Sequence, residues 1–478
     1  LPRPLTVLFI AAEADPFVKV GGLGDVAGAL PRALRALAPD LDVRLALPRH
    51  PELNLKGFEL RHLADYGVQR GNGWVMARAH ETRLDGLPVY LIEGAPISTA
   101  PAVYATDMSV DGEKYAFFSL AALELARQLR WSPRILHAND WHTAAAVYAL
   151  SLRRGESEFS WIRSVMCVHN LPFMGGGAGP SLSAYGLHQA PSAGLPDWAR
   201  HFPLPMGLAT ADAIVAVSPA YAHEMLTPEY GCGLQDFLRT RAGAILGILN
   251  GIDTRDYDPG SDPALTANYD ADSLRARGAN KMALRASLGL PADPGLPLLG
   301  LVSRMDPQKG VDIAMAGLRL AAHLPWQAVL LGTGIEYLEQ EAAALQRDFP
   351  ERVRSIVRYD AALSRQIYAG ADLLLMPSRY EPCGLAQMIA MRYGCVPLVR
   401  ETGGLGDTVS PYTDLSKGTG FLFLEASPQA FADTLAEALA LYESKDRWLA
   451  LQRNGMAQDF SWERSARAYE ALYRRLAI

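Results

Sequence analysis

Cysteine is scarce in this chain of 478 residues: Cys167, Cys232, Cys383 and Cys395 are the four thiols, and no two form a Cys-x-x-Cys pair. That argues against a disulfide scaffold and against a cysteine zinc site. Long apolar runs are missing as well. The first run, Leu5 to Ala12, falls well short of the ~18 residues of a membrane span. It also lacks the basic leader and small-residue cleavage site of a signal peptide, so it reads as a buried strand and a cytoplasmic protein is expected. Net charge is small, −6 from 45 basic and 51 acidic residues. That is too mild for a dedicated nucleic-acid or anionic-membrane binder. What is present is an ordinary globular mixture, 49% hydrophobic and 20% charged, which excludes global disorder and supports large cores. At ~100–200 residues per domain, the length implies two to four domains.

Short apolar runs alternate with amphipathic stretches throughout. In the first half strands are expected near Val7–Ala11, Val43–Leu47, Val89–Ile92, Ile135–Ala138, Ser164–Val168 and Ala213–Val217. In the second half they fall near Leu298–Val302, Ala328–Leu331, Val353–Val357, Leu373–Met376, Val396–Val399 and Phe421–Leu424. Helical patterns lie between them, as over Asp25–Leu37, Lys114–Leu129, Gly310–Leu320, Ile335–Arg347 and Leu385–Tyr393. Repeated βα alternation implies parallel sheets covered by helices on both faces. Two such series imply an α/β protein of two Rossmann-like, doubly wound domains. The turn-rich segment Asn250–Asp262 marks their boundary. The last stretch, Trp462–Leu476, is strongly helical, but its composition assigns it to neither domain. The pentapeptide Gly21-Gly-Leu-Gly-Asp25 returns as Gly403-Gly-Leu-Gly-Asp407, each copy ahead of a helical pattern. One copy in each half fits two similar domains.

The residues with chemistry gather at strand ends, where open α/β sheets bind ligands. The segment Lys19–Asp25 lies between a strand and a helix. Its glycines allow a tight turn and close approach of a ligand, free helix N–H groups favour an anion, and Lys19 adds a point charge. The spacing of Gly22, Gly24 and Gly28 is not the dinucleotide fingerprint, and a plain glycine-rich turn is the alternative. His137-Ala-Asn-Asp140-Trp-His142 admits two readings: Asp140 lines a ligand cleft, or Asp140 or Thr143 caps a helix. A spacing of five between His137 and His142 suits a metal on a helix face poorly. His169 and Asn170 follow a buried strand and are placed either to bond a ligand hydroxyl or to serve packing. Arg304 and Lys309 precede a helix, where two cations and free N–H groups suit a diphosphate; exposed surface charges are the bland alternative. The densest segment is Pro377–Leu385. Glu381 beside its helix start stays ionised and available to sugar hydroxyls, or merely caps the helix. Cys383 has no sequence-near histidine to activate it and reads as a small residue lining the site.

These segments, with Asn250-Gly-Ile-Asp253, Gln308-Lys-Gly310 and Thr402-Gly-Gly-Leu405, resemble in order the motifs of bacterial glycogen synthases and plant starch synthases, glycosyltransferase family five. The resemblance implies a GT-B fold, two Rossmann-like domains facing a central cleft. The acceptor-side domain would cover residues 1–250 and about 460–478, the C-terminal helix crossing back to it, and the nucleotide-sugar domain residues 251–459. It implies transfer of glucose from ADP-glucose to the non-reducing end of an α-1,4-glucan (glycogen or maltooligosaccharide), with retention at the anomeric carbon and with neither cofactor nor metal. By position, Lys19, Arg304 and Lys309 would hold the diphosphate and stabilise charge on the leaving ADP. Glu381 would grip the glucosyl 3- and 4-hydroxyls with Cys383, Gly384 and Leu385. Gly21, Gly22, Asp25 and His169 would line the donor site, Tyr359 would stack on adenine, and Asp140 and Asn250 would lie near the acceptor. Glu381, His169, Arg304 and Lys309 make up the implied catalytic set. The implied attack is front-face, without a protein nucleophile, the leaving phosphate taking the acceptor's proton.

Three places depart from the family pattern: Asn139 where histidine is usual, Phe173–Gly179 where an aromatic followed by Gln-Gly is typical, and Met206 where lysine is common. All lie in the acceptor-facing half. A related retaining GT-B transferase with another nucleotide donor or a small sugar acceptor is therefore the alternative. A non-catalytic binder would not need Lys19, Arg304, Lys309 and Glu381 together. A nicotinamide oxidoreductase would need the missing G-x-G-x-x-G.

Overall fold

The computed structural model describes residues 4–191, 194–414 and 416–478. They form two compact units: one runs through Gly251 and takes in Trp462–Ile478, the other is Ile252–Ser461. Among the described residues, no helix is long and apolar enough to cross a membrane.

The first unit is built on a nine-stranded sheet. Its strands are β1 (Leu5–Ile10), β2 (Leu41–Pro48), β3 (Arg61–Arg70), β4 (Gly73–Leu84), β5 (Leu87–Glu93), β6 (Ile135–Asn139), β7 (Arg163–Val168), β8 (Ala213–Ala216) and β9 (Ile245–Gly247). Their order is β3-β4-β5-β2-β1-β6-β7-β8-β9. From β5 through β9 all pairs are parallel, as βα alternation requires. The expectation of a wholly parallel sheet is corrected at one edge, where β3–β4 and β4–β5 are antiparallel. Strands β3, β4 and β9 are additions to those expected. The signal for the first two was two-residue hairpin turns. Asp85 and Gly86 join β4 to β5 with φ of 48° and 82°, the left-handed pair that an Asp-Gly turn supplies. Gly71 and Asn72 join β3 to β4 in another two-residue turn, with positive φ (57°) at Gly71 alone. Both strands alternate in exposure, so they carry no continuous apolar run.

The second unit has a six-stranded, all-parallel sheet: β10 (Leu298–Val302), β11 (Gln327–Gly332), β12 (Val353–Val357), β13 (Leu373–Met376), β14 (Val396–Arg400) and β15 (Phe421–Phe423). All six coincide with expected strands; the four inner ones are essentially apolar runs, as strands buried on both faces read, whereas edge strand β12 is mostly half-buried and carries Arg354 and Ser355. The order β12-β11-β10-β13-β14-β15 is the doubly wound one, with its reversal between β10 and β13. The first sheet reverses likewise between β1 and β6. Trp326, Leu330, Leu345, Leu373 and Phe431 belong to one buried core here.

Chain reversals fix where ligands are held, so the loops after β1, β6, β10 and β13 are the places to look. The helix Gly22–Leu37 opens on the first glycine pentapeptide and the helix Gly403–Thr408 on its echo. The helix Trp462–Leu476 buries Trp462, Ser465, Ala466, Tyr469, Leu472 and Tyr473, one face at helical spacing. Tyr473 Oη lies 2.6 Å from His137 Nδ1 on β6, and Tyr469 Oη 3.5 Å from Cys167 Sγ on β7. Arg474 pairs with Asp40 at 3.0 Å. The C-terminal helix thus backs the strands whose ends carry Asp140 and His169.

His137 is fully buried and its Nε2 has no hydrogen-bond partner, so the Tyr473 hydroxyl is its one bond to a side chain of that helix. Tyr473→Phe is expected to lower unfolding free energy by about 1–3 kcal/mol, measured by urea titration.

Candidate functional site

In the first unit the loop after β1 is organised by Glu13, which is 1% exposed. Its carboxylate accepts the N–H of Val20 and, at 3.1 and 3.2 Å, that of Gly21. The Tyr104 hydroxyl donates to it at 3.0 Å. Burial raises its pKa, against these three donors. The Val20 and Gly21 N–H groups are thus already engaged, while the helix whose free N–H groups were expected to favour an anion begins at Gly22. Lys19 Nζ sits 2.5 Å from Asp25. A Cβ on Gly28 would meet the Asp15 carbonyl at 2.3 Å, so glycine is required where the helix packs on the loop. A Cβ on Gly22 would meet nothing within 4 Å; packing in this unit does not demand that glycine. Glu13 was not singled out from the sequence. Its signal was a lone carboxylate inside the apolar run Phe9–Ala14.

The loop after β6 carries Asp140 with φ +53°, a strained conformation for a residue with a side chain. Neither Asp140 nor Thr143 is the cap: Asn139 holds that position, and the Thr143 hydroxyl donates to its carbonyl at 2.8 Å. Asp140 instead turns to the loop after β7, accepting the His169 N–H at 2.7 Å and the Asn170 N–H at 3.4 Å. Burial pushes its pKa up to about 7, and the two backbone donors oppose the shift. His169 Nε2 lies 2.9 Å from Asn139 Oδ1, and the Asn139 amide donates to the Ile10 carbonyl at 2.9 Å. Burial lowers the His169 pKa to about 4, keeping the ring neutral. The departure at Asn139 is thus a buried bridge between β1 and His169. Met206 is buried in the helix Pro203–Thr210, and Phe173 is 57% exposed. His137 and His142 go to separate surroundings, the C-terminal helix and the rings of Tyr104, Tyr115 and Trp141. Among the described residues no group of three His, Cys, Asp or Glu is placed to hold a metal. Asn250 and Asn170 each keep a buried Oδ1 without a hydrogen-bond partner.

In the second unit the loops after β10 and β13 meet. Lys309 Nζ bonds both oxygens of Glu381, at 2.8 and 2.6 Å, and the Ser378 hydroxyl adds a third donor at 3.1 Å. Glu381 is 4% exposed. Asp306 caps the turn Pro307–Lys309 through the Lys309 N–H and pairs with Arg304 at 2.9 Å. The Arg304 side chain is 60% exposed. Gly310 has φ +62°, and a Cβ there would lie 2.0 Å from the Pro377 carbonyl. Arg400, on β14, donates to the Arg379 carbonyl at 2.6 Å and so braces the Glu381 turn from behind. Buried Gln387 donates to the carbonyls of Cys383 and Gly384 at 3.1 and 2.9 Å. Gly384 has φ +71°, and the Gly404 N–H donates to the Glu381 carbonyl at 3.0 Å. A Cβ on Gly404 would come within 2.0 Å of the Cys383 carbonyl. The glycine echo therefore serves close backbone packing here. Cys383 is buried, and Leu385 is the cap of the helix Ala386–Arg392. Tyr359 stands apart, 79% exposed between β12 and a helix capped by Asp360. Arg400 and Gln387 were not legible beforehand, since each acts through backbone carbonyls; Ser378, inside the singled-out segment, was given no role of its own.

Comparison with known proteins agrees with this architecture. Residues 6–240 match the starch synthase catalytic domain family, and residues 285–453 match glycosyl transferases group 1. A glycogen synthase of Anaeromyxobacter sp. (strain Fw109-5) is 40% identical, the alignment covering 99% of this chain and 100% of that one. A glycogen synthase of Streptococcus mutans serotype c is 38% identical, over 99% and 100%. The catalytic domain of starch synthase IV from Arabidopsis thaliana, solved bound to ADP and acarbose, superposes with a TM-score of 0.89 at 34% identity, covering 99% of both chains. A sucrose-phosphate synthase from Thermosynechococcus elongatus, 19% identical with a TM-score of 0.62 over 98% of both, shares the fold.

Asp140 yields a prediction with a definite sign. Folded, it keeps its proton up to about pH 7; its ordinary value is 3.8. Between those values the folded state binds more protons than the unfolded one. The stability this group contributes is full below its ordinary value and is lost as pH rises through about 7. Asp140→Asn is expected to gain stability relative to the parent from pH 4 to 8, by up to about 4 kcal/mol at 1.36 kcal/mol per pKa unit. His137 and His169 titrate in the opposite sense but are present in both proteins, so urea unfolding of the pair at the two pH values isolates Asp140.

Proposed function

This chain belongs to the glycogen and starch synthase family of glycosyltransferases, and from that premise we propose that it moves glucose from ADP-glucose to the non-reducing end of an α-1,4-glucan, with retention at the anomeric carbon. The observation that carries the reading is the pairing of half-buried Lys309 with buried Glu381 at the β10 and β13 strand ends. A carboxylate held by a cation and a hydroxyl is fixed in orientation, and its remaining lone pairs suit neutral sugar hydroxyls. Lys309, Arg304 and Lys19 supply positive charge where the ADP phosphate gains negative charge as its bond to C1 breaks. Each is aimed by a carboxylate, Glu381, Asp306 and Asp25 in turn, so little reorganisation is left for the reaction. Cys383, Gly384 and Leu385 present backbone to the same sugar, and the open flank of Gly22 leaves room for the donor.

The exposed Tyr359 ring offers a face to adenine. In the first unit, taken as the acceptor side, the unpaired Oδ1 atoms of Asn250 and Asn170 would accept glucan hydroxyls, since buried acceptors seek donors. His169, neutral and fixed by Asn139, would line the sugar. Asp140, in the loop it shares, would lie by the acceptor. Nucleophilic attack would come from the glucan 4-hydroxyl on the face the ADP leaves, its proton passing to the departing phosphate. The second unit takes the nucleotide sugar in this reading, and the enzyme works in the cytoplasm without a cofactor. The starch synthase IV domain that binds ADP and acarbose supports the choice of donor and glucan.

Nucleoside diphosphate release from ADP-glucose and from UDP-glucose, with and without glycogen, tests the reading. Glycogen-dependent release, faster with ADP-glucose, is expected. Glu381→Ala is expected to lower kcat by about 100-fold or more, the scale of losing a preorganised polar group. Lys309→Ala should lose both ADP affinity and turnover. Release that ignores glycogen but responds to a small sugar would transfer the chain to the alternative acceptor class. Near-parental kinetics in both variants would remove the site assignment.

A further inference from the structure

Glu13 is buried with three donors and no cation among them. Burying a carboxylate so is costly, and an apolar residue would fill the space more cheaply. Its donors come from two directions. Val20 and Gly21 belong to the glycine-rich loop. Tyr104 belongs to the segment ahead of the helix Met108–Gln128, and its ring lies 4.8 Å from that of His142. His142 stands two residues after Asp140 and packs on Trp141 at 4.3 Å and on Tyr115 at 4.7 Å. The Tyr115 hydroxyl donates to the Val103 carbonyl, and buried Lys114 bonds the Ala102 and Val103 carbonyls at 2.9 and 2.8 Å. Lys114 is itself paired with Asp111 at 2.7 Å. The segment carrying Tyr104 is therefore clamped on the strand-end side of the helix. Gly24 packs closely on the same carboxylate: a Cβ there would lie 3.2 Å from a Glu13 oxygen.

We propose that Glu13 and Tyr104 are a positioning pair that holds the glycine-rich loop in register with the Asp140 turn, so that the donor-binding and acceptor-binding elements of the first unit are set by one buried carboxylate. Glu13 acts on the loop through backbone N–H groups and on the Asp140 turn through the Tyr104–His142 ring contact. Neither residue touches the reacting atoms. The geometry leaves Lys19 at one end of the held loop and Asp25 at the other, paired with each other. A displaced loop would carry both away from the positions the transfer needs. The kinetic part of this inference rests on the glucosyl-transfer reading; the coupling of the two turns does not.

The test compares the full chain with Tyr104→Phe, Glu13→Gln and the double variant. Tyr104→Phe removes one hydroxyl and keeps the ring against His142, so it folds where a truncation of Glu13 would be severe. Amide hydrogen exchange is expected to quicken about tenfold or more at Val20 and Gly21 in both single variants. Exchange at His142 and Thr143 should quicken with it. kcat/KM for ADP-glucose should fall about 10- to 100-fold, the scale of a misplaced reacting group. The melting temperature should move by only a few degrees, and the double variant should be no worse than Glu13→Gln alone. Faster exchange with kcat/KM within twofold of the parent would overturn the proposal. So would exchange that changes at the glycine-rich loop alone, or losses that add in the double variant. A parent chain that transfers no glucose would sink the reaction reading, and the exchange pattern at the two turns would still decide this one.

Discussion

A carboxylate taken out of water must find donors or a cation, and this constraint shapes both units. At the carboxyl ends of the parallel strands the chain buries Glu13, Asp140 and Glu381. Each is answered differently. Glu381 receives a lysine and a serine hydroxyl, Glu13 receives two backbone N–H groups and a phenol, and Asp140 receives two backbone N–H groups. The answer sets the chemistry. Burial without a cation raises the pKa of Glu13 and takes that of Asp140 to about 7. These carboxylates also tie loops together that are far apart in sequence: β10 to β13, β6 to β7, and the glycine-rich loop to the Tyr104 segment.

The same pairs prepare the cations. Lys309, Arg304 and Lys19, the cations proposed for the diphosphate, each lean on a carboxylate of their own unit. A long basic side chain loses much rotamer freedom when it is ordered, and here part of that ordering precedes any ligand. The glycines complete the arrangement by absence. At Gly28, Gly310 and Gly404 a single methyl group would strike a carbonyl within 2.3 Å. Close packing of the loops at these strand ends is possible only because those side chains are missing.

Much of this was readable in the sequence. The second sheet was legible strand by strand; its four inner strands are doubly buried and leave essentially apolar runs. The family motifs placed Lys19, Asp140, His169, Arg304, Lys309 and Glu381 on strand-end loops, where the structure has them. The edge strands β3 and β4 were not legible as apolar runs, since they alternate in exposure; their Gly-Asn and Asp-Gly turns were the available signal. Glu13, Tyr104 and Arg400 escaped for a different reason. Their function is to hold backbone or a partner far along the chain, and spacing in one dimension carries no trace of it. Asn139 looked like a departure and proved to be a bridge, because its amide satisfies both the Ile10 carbonyl and His169.

In the proposed reaction the Lys309–Glu381 pair divides labour: the lysine would serve the diphosphate and the carboxylate the sugar. Calorimetric titration of ADP into the parent and into Glu381→Gln, set beside their transfer rates, tests this division most directly. Glutamine keeps the shape and removes the charge that competes for Lys309. The account predicts ADP affinity equal to or tighter than the parent's, with the transfer rate lower by about 100-fold or more. ADP affinity that falls in step with the rate would contradict it, because Glu381 would then be supporting nucleotide binding rather than the glucosyl group.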